Sequence, residues 1–116
     1  MSALSIQPLD VPQFSVNVDV TARVLAVSGD VDLSTAPIML DLAKSMLGGH
    51  PGDITIDFAG VTFMDSQCLN ALVTIDTIQR GQHAALRLDN LNARHRRVFI
   101  AGGLSGMLTS RRGSHG

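Results

Sequence analysis

Apolar and polar positions alternate from Phe14 to Val20, the two-residue period of a strand with one wet face. A second run rich in β-formers, Arg23 to Ser28, follows after only Thr21 and Ala22, a spacing short enough for a hairpin. Gly29 to Thr35 reads as a break in that run. Beyond it the period changes. Met39, Leu42, Ala43, Met46 and Leu47 recur at helical spacing, with Ser34 or Thr35 expected to cap the open amides and Pro37 in the first turn. Gly48 and Gly49 should end this helix, and Pro51 and Gly52 should prevent its continuation. Alternation returns over Asp53 to Phe58, with Ile54, Ile56 and Phe58 on one side, and Gly60 to Met64 reads as a connection. A broad apolar stripe of Cys68, Ala71, Leu72, Ile75 and Ile78, widened by Leu69 and Val73, predicts a helix from Ser66 to about Arg80, buried against a sheet. Ala84 to Leu88 is a fourth strand. Asn92 stands where it can cap a third helix reaching about Ala101, before Gly102 and Gly103.

The order β-β-α-β-α-β-α predicts a single α/β domain: a mixed β-sheet of four to five strands with helices packed on it. The third and fourth strands, joined through a helix, should be parallel neighbours. Residues 1–13 are expected to be an N-terminal extension, 14–108 the domain and 109–116 a flexible polar tail.

Composition narrows the function. The 116 residues are 45% hydrophobic and 16% charged, which excludes a disordered chain, and one cysteine excludes an internal disulfide. A net charge of −1, with four Phe and no Trp or Tyr, speaks against nucleic acid as a partner. Met1 to Asp10 shows no basic-then-apolar leader, and no apolar run approaches the ~18 residues of a membrane span, so a cytoplasmic protein without a membrane partner is expected. All ten acidic residues are Asp, so Glu and Tyr are both missing from the catalytic repertoire. His50, His83, His95 and His115 have no metal-ligand spacing, and no metal or cofactor is expected. Cys68 is near a helix start, which lowers a thiol pKa, but it falls on the apolar stripe and reads as packing. Asp30 and Asp32 read as turn-formers. Arg94, Arg96 and Arg97, with Arg111 and Arg112, read as a solvated helix face and a charged tail.

The segment Val61 to Leu72 carries the candidate chemistry. An apolar run leads into Asp65 and Ser66, and a helix begins there. The free amides and dipole at such an end favour an anion, and the serine hydroxyl should project into solvent. The plainer reading is that Asp65 or Ser66 simply caps the helix. The two are compatible.

Three segments in this order resemble the STAS domain of bacterial anti-sigma factor antagonists. Gly29-Asp30-Val31-Asp32 with Ser34-Thr35-Ala36 is similar to that family's turn into the first helix. Phe63-Met64-Asp65-Ser66 with Leu69 is similar to its phosphoacceptor segment. Arg97-Val98-Phe99 with Gly103-Leu104 is similar to its late Arg-Leu-Phe and Gly-Leu pair. The likeness covers about Phe14 to Leu108 and implies a STAS-like fold. It also implies a non-enzymatic module. The unphosphorylated form binds an anti-sigma factor that is also a serine kinase, and phosphorylation of Ser66 releases it. A phosphatase would be a further partner, and the protein itself a monomer or weak homodimer. The resemblance puts Asp30, Asp32, Ser34, Thr35, Asp65, Ser66, Gln67 and Asn70 on the partner-facing surface. Four features depart from the family pattern: Gln67 for a second serine, Cys68 for a glycine, His95 for an inward apolar residue, and an early end without a last helix. Two rival readings remain. One is a STAS scaffold or transporter accessory subunit in which Ser66 is never phosphorylated. The other is a small enzyme with Ser66 or Cys68 as nucleophile, disfavoured because no histidine is marked by its context as their base.

Overall fold

The computed structural model describes residues 14–108. The period changes along the chain become β1 (Ser15–Asp19), β2 (Val24–Val31), α1 (Ala36–Gly49), β3 (Ile54–Met64), α2 (Ser66–Gly81), β4 (Leu86–Asp89) and α3 (Ala93–Ala101). Residues 105–108 add one further helical turn. The sheet order is β1-β2-β3-β4, with β1 antiparallel to β2 and the other pairs parallel, so the sheet is mixed as expected.

One face of this sheet is covered. Leu25, Val27 and Val31 of β2, Ile54, Ile56 and Phe58 of β3, and Leu86 and Leu88 of β4 are buried. Met39, Ala43 and Leu47 of α1 and Cys68, Leu72 and Ile75 of α2 close over them. Each such aliphatic or aromatic side chain contributes roughly 1.5–3 kcal/mol by leaving water. The alternate strand positions, among them Ser28, Thr55, Asp57, Arg87 and Asp89, are polar and reach solvent. No helix among the described residues is long and apolar enough to cross a membrane.

Several sequence expectations are corrected. Gly29 does not break the second strand. It lies inside β2 at φ 88°, a conformation open to glycine, next to a register shift. The Gly60 to Met64 connection is strand as well, because β3 continues to Met64. Two register shifts against β2 put two extra residues into β3, so its buried positions after Phe58 are Val61 and Met64, spaced by three. Gly60 allows the first shift: a Cβ there would collide with the Ser28 side chain and lie 3.2 Å from the Val27 carbonyl. Thr35 occupies the cap position of α1, yet its side chain makes no cap bond. Gly48 and Gly49 belong to α1, which closes where the His50 amide meets the Met46 carbonyl. Val73 is exposed, and Gln79 takes a buried place on α2 instead. The expected extension 1–13 and tail 109–116, with Arg111, Arg112 and His115, lie outside the described residues.

Candidate functional site

Because β2 and β3 are parallel, both run out at the same edge of the sheet and hand over there to α1 and α2. That edge collects the expected partner-facing residues. On the β2 side, the Asp32 carboxylate accepts from the Ser34 hydroxyl and amide, each at 3.0 Å, and from the Thr35 amide at 3.3 Å. Thr35 donates its hydroxyl to the Asp30 carbonyl at 2.7 Å and receives the Asp32 amide at 2.9 Å. The Asp32 carbonyl then takes the Ala36 amide at 2.8 Å, which starts α1. Asp32 is therefore the group that organises the turn. The Ser34 hydroxyl first, then the Ser34 amide and Thr35, hold its carboxyl below the usual range by stabilising the anion.

On the β3 side, Asp65 is the cap of α2. Its carboxylate accepts the Gln67 amide at 2.8 Å and its carbonyl the Cys68 amide at 3.0 Å. The plainer reading of this segment is thus correct for Asp65. Ser66 is the next residue, the first of α2, and it is exposed. Two bonds join the two sides: the Asp65 amide to the Val31 carbonyl at 3.4 Å, and the Thr62 hydroxyl to the Asp30 carboxylate at 2.8 Å. Gln67 and Asn70 line a shallow groove of about 160 Å³ together with Ala36, Pro37 and Leu40 of α1. All eight residues named from the sequence thus stand at one end of the sheet.

Cys68 lies beneath this surface with no exposure. Burial, and secondarily the Asp65 charge, pushes its thiol up to about 12, so it is not a nucleophile at neutral pH. Among the described residues no group of His, Cys and Asp gathers as a metal site.

Sequence reasoning missed two features. Leu33, in the middle of the Asp32–Ser34 turn, is 73% exposed, and Phe63, just ahead of Asp65, is 52% exposed. Periodicity assigns no face to a turn residue such as Leu33, and Phe63 belongs to the Gly60 to Met64 segment that reads as a connection in the sequence although it is strand, so neither stands out. His95, which in the sequence stands only as a polar residue at an inward position, is a joint. It is the third residue of α3, and its amide donates to the Asn92 side chain at 2.8 Å while its Nδ1 accepts the Asn92 amide at 3.1 Å. Nε2 lies 2.9 Å from the Val61 carbonyl. A carbonyl only accepts, so the ring proton is assigned to Nε2. The buried imidazole fastens α3 to the bulged end of β3.

A family model described as "Mlab, STAS domain" matches residues 14–109. Comparison with curated proteins finds no match. Among solved structures, the phosphorylated form of the Bacillus cell fate determinant SpoIIAA aligns with a TM-score of 0.62 at 19% identity, over 82% of this chain and 87% of that one. An anti-sigma factor antagonist from Mycobacterium paratuberculosis aligns with a TM-score of 0.59 at 21% identity, over 92% and 99%. The murine Solute Carrier 26 family member A9 anion transporter aligns at 0.58 and 21%, over 70% of this chain but 14% of the transporter. The chain likewise spans only 17% of another solved neighbour. At these identities the likeness is one of fold.

Proposed function

The chain belongs to the STAS-domain family, and from that premise we propose that it is an anti-sigma factor antagonist, a binding module without catalysis of its own. In this reading its unphosphorylated form occupies an anti-sigma factor of the serine-kinase type, and a phosphate on Ser66 releases it. One observation carries the reading: Ser66 is exposed at the first position of α2, hydrogen-bonded through its neighbour to the Asp30–Asp32 turn. The hydroxyl is accessible to a kinase, and it lies on the surface that a partner would cover. Asp30, Asp32, Asp65, Gln67 and Asn70 supply polar contacts, and Leu33 an apolar anchor.

A phosphate adds about −1.5 to −2 charges there. Like unit charges ~4 Å apart repel by about 4 kcal/mol at an effective dielectric near 20, and a hundredfold loss of affinity needs only about 2.7 kcal/mol. One partner carboxylate facing Ser66 is sufficient. The test is to recover the kinase with Ser66→Ala as bait, incubate it with wild-type protein and ATP, and map the modification by peptide mass spectrometry. Phosphate is expected on Ser66, with Ser66→Asp binding about a hundredfold more weakly than Ser66→Ala. Equal binding of the two variants, or modification elsewhere, overturns the reading.

The likeness to one part of an anion transporter supports a second reading, a STAS subunit of a larger assembly. That reading expects a stable complex with unmodified Ser66.

A further inference from the structure

We propose that the groove between the bulged end of β3 and α3 is a second docking site, built for an acidic amphipathic segment of a protein partner. Thr62, Phe63 and Met64 form one wall, and Arg94, Arg97 and Val98 the other, around a volume of about 310 Å³ with His95 at its base. That volume suits one or two large apolar side chains, and the lining is mainly apolar.

Charge identifies the occupant. Arg94, Arg96 and Arg97 are exposed, and among the described residues neither ion pair involves them; those pairs are Arg80–Asp76 and Arg87–Asp53. Arg94 stands at the second position of α3, whose first turn holds no acidic residue. A cation there opposes the helix dipole, which favours anions at this end. A local rule broken without a compensating ion pair among the described residues points to a function outside the fold. A carboxylate at the rim meets two guanidinium groups and the positive end of α3, while an apolar neighbour on the same segment fills the space beside Phe63, which is half exposed. The site is concave, so it receives an inserted side chain rather than resting on a lipid surface. It adjoins the acidic Asp30–Asp32–Asp65 surface at Thr62, whose hydroxyl donates to the Asp30 carboxylate, while its arginines come from α3; it does not depend on phosphorylation of Ser66.

The test is a ¹⁵N titration of the full chain with synthetic helical peptides. One peptide carries Glu along one face and Leu and Phe along the other; a second carries Lys for Glu; a third carries Ser for Leu and Phe. Only the first should shift the amides of Phe63, Met64 and Val98. Arg94→Ala combined with Arg97→Ala should weaken it about tenfold, and rising salt should do the same. Both arginines are exposed, so the double variant keeps its fold, which its unperturbed core resonances verify. Equal response to the Lys peptide, shifts outside the groove, or perturbation by phosphatidylglycerol vesicles but by no peptide overturns the proposal.

Discussion

Asp32 shows how one side chain shapes the candidate site. Its carboxylate collects the Ser34 hydroxyl and amide and the Thr35 amide, and these bonds favour the anion, so its folded pKa lies below the ordinary carboxylate value. The sign of the linkage follows. A depressed carboxylate contributes stability that is fully present above its unfolded pKa, about 3.9, and is lost as pH falls through the lower folded value. The Ser34 hydroxyl is the largest cause, so Ser34→Ala should raise the Asp32 midpoint in a carboxylate NMR titration and begin the acid loss of the turn at higher pH. An unmoved midpoint would mean that the backbone amides alone hold the anion. In the sequence, Asp30 and Asp32 were legible as turn-formers, but which residue caps α1 was not. Ser34, Thr35 and Asp32 all carry suitable oxygens. Thr35 takes the cap position but turns its hydroxyl back to the Asp30 carbonyl, so no side chain caps α1 and the Asp32 carboxylate holds the turn ahead of it instead.

At the scale of elements, all seven were legible because strand and helix periods differ clearly along this chain. The exceptions were the ends of β2, which runs on through Gly29 to Val31, and of β3. Two extra residues change the buried spacing of β3 from two to three, and Gly60 to Met64 reads as a connection. That misreading hid the reason for His95. Only when β3 reaches Met64 does the Val61 carbonyl come under α3, where the imidazole can take it. Asn92 and His95 form a reciprocal cap with His in place of the usual Glu or Gln, which explains why its Asn-x-x-His spacing went unrecognised. Asn92→Ala should cost about 1 kcal/mol in urea unfolding. His95→Phe, which keeps the ring beside Phe58 and loses both ring-nitrogen bonds, should cost about 1–3 kcal/mol. In both variants amide exchange should quicken first in α3. Unchanged unfolding midpoints would show that α3 is held by Phe99 packing alone.

The whole molecule separates its charges around one end of the sheet. Asp30, Asp32 and Asp65 lie where β2 and β3 hand over to α1 and α2, and Arg94 and Arg97 of α3 face the end of β3. Ser66 is at the head of α2, whose open amides and dipole tolerate added negative charge. If the proposed switch is right, modification must therefore act on the partner and leave the host fold intact. A helix-terminal anion is worth about 0.3–1 kcal/mol, and repulsion from Asp65 works against it. Half a kcal/mol moves the melting temperature of a domain this size by about 2–4 °C. Ser66→Asp should melt no more than a few degrees from the wild type while losing its partner. A fall beyond about 5 °C, together with loss of the Gln67 and Cys68 amide protection at the Asp65 cap, would show that charge at residue 66 melts the first turn of α2. The switch would then work by local unfolding rather than by repulsion across an interface.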